Sequence, residues 1–369
     1  MAIRFDKDTR RATNGPMIFF SDPSAEISLG EEIRGAINSR LSMYAYRRPG
    51  DMMISFGSSE CVVEGIGEPG FVIAPFLPSL PYLTIPYKPS HINSKPSTLD
   101  TNLSTLNSQL TSTTQSQHET EVVAIREALT KAGGGKVVAA RVIVKEERTD
   151  PAEIFSNLCL KYPNAFVFCF STPITGCWIG ASPELLLEAH ANTLRTMSLA
   201  GTRPAGSQEP WDSKNINEQQ MVTDFITDTF EKNSLKPAEG TTFTKQAGAV
   251  EHICTPISAD INPSCFNPEM LNRLLRDLSP TPALCGLPRD LAFSLINKYE
   301  GFSRGCYGGF CGPFHNACNF TFFVNLRSAS IEAERLTLFV GGGITRQSDP
   351  LSEWRETELK ARTVLEALS

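Results

Sequence analysis

Apolar positions in the first 87 residues come in short runs, Met17–Phe20, Met52–Phe56 and Gly70–Phe76, each broken by Gly, Pro, Ser or charged residues. Runs of that length read as strands joined by turns, without long helices. From about Lys88 to Gln117 large apolar residues almost vanish, and Ser, Thr, Asn and Gln dominate. That is the composition of a linker or exposed loop. One domain is expected, with a strand-rich part at 1–87, a Ser/Thr-rich segment at 88–118 and a longer part at 119–369.

Beyond that segment, Val122, Val123, Ile125, Leu129 and Ala132 share one helical face, and the helix should stop at Gly133–Gly135. KVVAARVIV at 136–144 is a β-branched run and predicts a strand. Ala165–Phe170, Glu184–Ala189 and Thr193–Leu199 predict further strands in an antiparallel arrangement. Helices are expected at 215–231, 267–278 and 288–300. Asn267 caps the second of these and Pro268 opens it. Asn319–Ser328 alternates as a half-buried strand with Arg335–Val340 as its partner. A last helix runs from Pro350, capped by Ser348 or Asp349. The class is α+β, with large antiparallel sheets packed by helices.

Two helical faces carry carboxylates where apolar residues are expected. On the 215–231 helix the stripe Met221, Val222, Phe225, Ile226 and Phe230 steps back to Glu218. On the last helix the inner line reads Glu353, Glu356, Lys360, Val364 and Leu368. A carboxylate on a buried face is costly unless it is paired or bound to a metal. Each has an ordinary explanation when taken alone: a first-turn acid favoured by the helix dipole, and an i,i+4 Glu–Lys pair. GGGITRQSDP, directly after the strand LTLFV, weighs the other way. Three glycines there mean backbone approached closely by another group, and a glycine-rich turn offers amide donors to an anion. The segment is not GxGxxG and no Walker lysine follows, so a nucleotide fold is unsupported. Two glutamates on separate helices suit magnesium, an ion that takes oxygen ligands and is often shared with an anionic substrate.

Charge and composition remove whole classes of function. The net charge of −6 argues against a nucleic-acid partner. No apolar run approaches the roughly 18 residues of a membrane helix, and the N-terminus lacks the apolar core of a secretory signal. The ten cysteines form no C-x-x-C pair, and several lie inside apolar runs, as Cys169 does in AFVFCF. They read as small hydrophobes in a reducing cytoplasm. Cys306, Cys311, Cys318 and His315 match no common zinc spacing.

Four segments resemble the chorismate-binding enzymes: the isochorismate, salicylate, anthranilate and aminodeoxychorismate synthases. They are IGASPELLLEA (179–189) with LAGTRPAG (199–206); KNINEQQMV (214–222); LSPTPALCGLPRDLA (278–292) with EGFSRGCYGGFCG (300–312); and FFVNLR (322–327) running into LFVGGGITRQSDPLSEWRETELK (338–360). With KVVAAR (136–141) they follow the family's order from Lys136 to the C-terminus. The resemblance implies an anthranilate synthase component I-like fold, two large antiparallel sheets in layers flanked by helices, with the active site in a central cleft. It implies that Glu218 and Glu356 hold Mg2+, with Glu353 close by, and that the metal grips the ring carboxylate of chorismate. Arg327 and Lys360 match the positions that meet the enolpyruvyl carboxylate, with backbone amides near Gly341 and Gly343. Tyr307 is implied to line the pocket, and Gly201 and Thr202 to approach the ring and its 4-hydroxyl.

Within the family, members that use water carry Lys where those that use ammonia typically carry Gln, and this chain has Lys136. The resemblance therefore implies Lys136 as the base that activates water and Glu184 as the acid that protonates the departing hydroxyl. Ala200 in SLAGT stands where aminodeoxychorismate synthases often have lysine. Thr281–Leu284 reads TPAL where salicylate synthases tend to read T-A-S. Both favour an isochorismate synthase, with a salicylate synthase as the alternative and a non-catalytic ligand-binding member as a reading of another class. Ser279, Asn215 and Asn217 depart from the His, acidic residue and His usual at those positions. A cytoplasmic monomer is the expectation, with menaquinone preferred to a catechol siderophore as the product's destination.

Overall fold

In a computed structural model, which describes residues 17–19, 23–87, 109–332 and 334–368, the β-branched run after Gly133–Gly135 is the ten-residue strand Lys136–Lys145. It belongs to a nine-stranded sheet ordered Met17–Phe19, Met53–Ser59, Ser42–Arg47, Phe166–Thr172, Gly176–Ser182, Ser328–Glu332, Arg335–Ile344, Lys136–Lys145 and Gly286–Leu287. A ten-stranded sheet lies against it. Its path runs Ala238–Glu239, Val250–Asp260, Thr193–Pro204, Leu185–His190, Asn319–Val324, Phe310–Asn316, Gly70–Ala74, Leu83–Pro86 and Val63–Glu64, and Phe243–Ala247 also pairs with Val250–Asp260. Every pairing is antiparallel, as the alternation predicts. The class expected from sequence is the one observed.

The sheets meet through aromatic side chains that alternate inward from both. Phe166 of the nine-stranded sheet stacks on Phe323 of the other at 4.3 Å between centroids and 4° between planes. Among the described residues seven helices flank them: α1 (Pro23–Asn38), α2 (Gln115–Lys131), α3 (Pro151–Lys161), α4 (Ser213–Lys232), α5 (Pro268–Leu278), α6 (Arg289–Tyr299) and α7 (Pro350–Leu365). α1, α3 and α7 bury Ile33, Phe155 and Val364 against the outer face of the nine-stranded sheet. α4 and α5 bury Ile226, Phe230 and Leu274 on the outer face of the ten-stranded one. Asn267 accepts from Met270 N and Pro268 opens α5, as expected. Asp349, not Ser348, caps α7.

The structure corrects four expectations. Residues 1–87 contain α1, a sixteen-residue helix. Its buried stripe, Leu29, Ile33 and Ala36, is thin and interrupted by Gly30 and Gly35, so run lengths do not announce it. The Ser/Thr-rich segment, expected to reach residue 118, already turns helical at Gln115. Thr114 caps α2 there and forms a capping box with Gln117; residues 88–108 lie outside the described residues. The run Asn319–Ser328 is not one strand. It breaks at 325–327, and Ser328–Glu332, in the other sheet, is the strand that pairs with Arg335–Ile344. Finally, Gly341–Gly343 is not a turn but continuous strand, in register with Ala140, Ala139 and Val138.

Candidate active site

Two of the chain's crossings between the sheets lie beside one cleft. At Pro183–Glu184 the chain leaves Gly176–Ser182 for Leu185–His190, and at 325–327 it crosses back. The cleft encloses about 620 Å³ including its open mouth. Ten of the twelve residues singled out from sequence line it: Lys136, Glu184, Gly201, Thr202, Glu218, Tyr307, Arg327, Gly341, Gly343 and Lys360. Glu353 and Glu356 line an adjoining cavity that shares Thr202.

Lys136 opens its strand and is 1% exposed, so it is no surface lysine. Its Nζ lies 2.7 Å from Glu218 Oε1. Glu184 is 4% exposed and faces the cleft, not solvent. Burial pushes its carboxyl up to about 8, although Lys136, Lys245, Lys360 and Arg327 pull the other way. A carboxyl in that range holds a proton at neutral pH and can donate it.

Arg327 sits in the second crossing at φ +51, a left-handed conformation that costs a residue with a Cβ. That kink turns its guanidinium into the cleft. There it donates to Thr363 Oγ1 at 3.2 Å and lies 3.1 Å from His252 Nε2. Burial lowers Arg327 to about 10, which leaves it cationic at neutral pH. His252 was not anticipated from sequence, because a histidine within the apolar run of Val250–Asp260 reads as core. Its Nδ1 lies 2.9 Å from Gly201 O. A carbonyl only accepts, so Nδ1 carries the proton and Nε2 accepts from Arg327. Burial, reinforced by Arg327 and Lys360, holds His252 well below its usual range and therefore neutral. Lys360 Nζ binds Glu356 Oε1 at 2.7 Å and Gly341 O at 2.9 Å. Tyr307 stacks on Phe339 at 5.5 Å.

The glycines are there for room. A Cβ on Gly343 would lie 2.4 Å from Glu218 Oε1 and 2.7 Å from Lys136 Cε. One on Gly342 would lie 3.2 Å from Glu353 Oε2. Gly201, at φ +70, marks the register shift in Thr193–Pro204 and passes tightly over Asn215. Asn215 Oδ1 in turn accepts from Thr202 N at 2.9 Å, so this departure from the usual acidic residue has a structural partner.

The carboxylates expected to hold magnesium are gathered around Gly342 and Gly343, each beside a lysine: Glu218 with Lys136, Glu353 with Lys214 and Glu356 with Lys360, all at 2.7 Å. Among the described residues no three His, Cys, Asp or Glu side chains converge as a ready-made metal cluster. The donor set nevertheless fits magnesium in kind. It is oxygen only, and Glu353 Oε2 is buried without a hydrogen-bond partner. Burial and the neighbouring Glu356 raise Glu353. Burial would also raise Glu356, but Lys360 and Lys214 outweigh it and hold Glu356 below its usual range.

Residues 87–369 match the family model for the chorismate binding enzyme, and the chain belongs to that family. It is 34% identical over 250 residues to the salicylate biosynthesis isochorismate synthase of Pseudomonas aeruginosa, covering 64% of this chain and 51% of that protein. It is 32% identical over 194 residues to isochorismate synthase MenF of Haemophilus influenzae, covering 50% of this chain and 44% of that one. The chain thus spans about half the length of these relatives. The fold matches that of MenF, the menaquinone-specific isochorismate synthase from Escherichia coli, with TM-score 0.69 and 20% identity over 89% of each chain. It also matches anthranilate synthase component I from Streptococcus pneumoniae, with TM-score 0.60 and 15% identity over 88% of this chain and 92% of that one. No helix among the described residues is long and apolar enough to cross a membrane.

Proposed function

We propose that the protein is a magnesium-dependent isochorismate synthase, which adds water at ring carbon 2 of chorismate and expels the hydroxyl of carbon 4. The observation that carries this reading is the pairing of a buried lysine and a proton-holding buried glutamate, Lys136 and Glu184, in one cleft with two further cations, Arg327 and Lys360. Chorismate carries two carboxylates, and cations in a cleft lined by buried side chains suit a dianion. Lys136, in its neutral form, takes a proton from water, and the water oxygen bonds to carbon 2. The ring double bonds shift, the bond from carbon 4 to oxygen breaks, and Glu184 protonates the departing oxygen. Substrate and product are isomers with like bonds, so the reaction is expected to be reversible with an equilibrium near unity. Arg327 holds the enolpyruvyl carboxylate through its planar fork, with Lys360 beside it. Glu218, Glu356 and Glu353 would hold magnesium, which when bound supplies positive charge to the ring carboxylate.

The test is incubation of the protein with chorismate, with magnesium or with a chelator, and chromatography of the products. The same mixture of chorismate and isochorismate should form from either side, and should fail to form with chelator or with Lys136→Ala. Salicylate with pyruvate would make the protein a salicylate synthase. Binding without turnover would make it a non-catalytic member of the family.

A further inference from the structure

Among the described residues, the strand Lys136–Lys145 has a full partner on one side only. Arg335–Ile344 pairs with it from Lys145 to Val137. On the other side Gly286–Leu287 reaches only Lys136 and Val137. Beyond them Val138 N still donates to Cys285 O at 2.8 Å, but among the described residues no strand lies beside the rest of the edge to which the even-numbered residues turn their backbone groups, and buried backbone groups need partners. At the far end Thr113 and Ser112 bond to Val142 and Val144. The middle is closed by an ion pair. Arg304 Nη2 donates to Val138 O at 2.6 Å, and Glu300 Oε1 accepts from Ala140 N at 2.7 Å. Arg304 Nε donates to Glu300 Oε2 at 2.8 Å, and Nη2 also bonds to Oε1. One donor and one acceptor, aimed at one strand edge, are what the backbone of a neighbouring strand would present.

A buried ion pair is a poor source of stability, because removing two charges from water offsets most of their attraction. Its reach gives it another use. Arg304 Nη1 donates to Leu284 O at 2.7 Å, and Arg304 O accepts from Tyr307 N at 2.8 Å. Val138, Leu284 and Tyr307 all line the cleft, and Lys136 lies two residues before Val138. A single pair therefore ties two separate wall segments, at Leu284 and Tyr307, to the strand that carries the proposed base.

We infer that Glu300 and Arg304 are positioning residues, standing in for a missing strand so that Lys136 and the wall formed by Leu284 and Tyr307 keep one fixed geometry. This rests on the reading of the cleft as the chorismate site. The test compares Arg304→Lys and Glu300→Gln with the wild-type chain, with magnesium present. It measures kcat and KM for chorismate, and deuterium uptake by peptides covering 136–145. Arg304→Lys keeps the charge but loses the fork. Its kcat is expected to fall roughly 10²-fold, the order of loss for a reacting group displaced by about 1 Å. KM should change less, since Arg327 and Lys360 are untouched, and uptake over 136–145 should rise. Glu300→Gln keeps an oxygen for Ala140 N and should lose less on both measures. Wild-type kcat in folded Arg304→Lys, or a lower kcat with unchanged uptake, would overturn the inference. If Arg304→Lys does not fold, Glu300→Gln decides on the same two readouts. If the wild-type chain does not turn over chorismate, the reading of the cleft fails, and the uptake result alone decides whether the pair holds the strand.

Discussion

Arg327 Nη2 and His252 Nε2 are 3.1 Å apart, and the other ring nitrogen of His252 is 2.9 Å from Gly201 O. A neutral imidazole thus joins the guanidinium on one crossing between the sheets to the left-handed glycine on another wall. Arg327 is set by backbone strain and by His252 together, and each has a separate test.

Arg327→Ala removes the fork. A hydrogen bond to a charged group contributes about 1.5–3 kcal/mol, so KM for chorismate should rise by roughly 10- to 150-fold. His252→Ala leaves the cation in place but unsupported, and should raise KM less. Steady-state kinetics on both variants checks the order, and an equal or larger effect of His252→Ala would place the histidine itself against the substrate.

Glu184 must hold a proton to act as an acid. Its carboxyl, raised by burial to about 8, is protonated below that pH and ionised above it. The rate should therefore fall as pH rises through about 8. Glu184→Gln cannot donate a proton and should lose roughly 10²- to 10⁴-fold in kcat, with no alkaline limb in the residual rate. A wild-type rate still rising well above pH 8 would remove Glu184 from the acid role.

Gly343→Ala adds one methyl group where Glu218 Oε1 and Lys136 Cε already lie. The atoms it meets belong to the ends of these two side chains, so Glu218 and Lys136 must shift. A loss of kcat of roughly 10²-fold is expected, with Tm changing far less than kcat, because the clash falls on two side-chain ends. Paired kinetic and thermal measurements check it.

Glu121 on α2 gives a prediction about stability. Burial, with Glu300 nearby, raises its carboxyl to about 7, from 4.5 for a free side chain. A raised carboxyl favours folding fully below pH 4.5, where both states are protonated, and that contribution is lost as pH rises through about 7. Glu121→Gln should therefore raise Tm at pH 8, and the gain should shrink steadily toward pH 4.5. Thermal melts across that range decide it, and a gain independent of pH would exclude ionisation of Glu121 as the cause.

Local signals identified much of the molecule. The strand at Lys136, the cap and proline of α5, and the glutamates on the inner faces of α4 and α7 are written in periodicity and capping, which act over a few residues and survive in the sequence. The glycines at 341–343 announced a close approach but not what approached, and they form strand where a turn was expected. Motifs named Lys136 and Glu184 together, although nothing local says that Glu184 is buried. What only the tertiary structure decided was the assembly. Where the chain crosses between sheets, as at Pro183–Glu184 and at Arg327, the local pattern is that of a continuing strand, so Asn319–Ser328 read as one element. His252 looks like core until Arg327 and Gly201 are seen beside it, and Glu300 and Arg304 look like ordinary polar residues until the bare edge of Lys136–Lys145 is seen between them. Pairings between residues a hundred or more positions apart depend on which surfaces the sheets bring together, and no window of sequence carries that information.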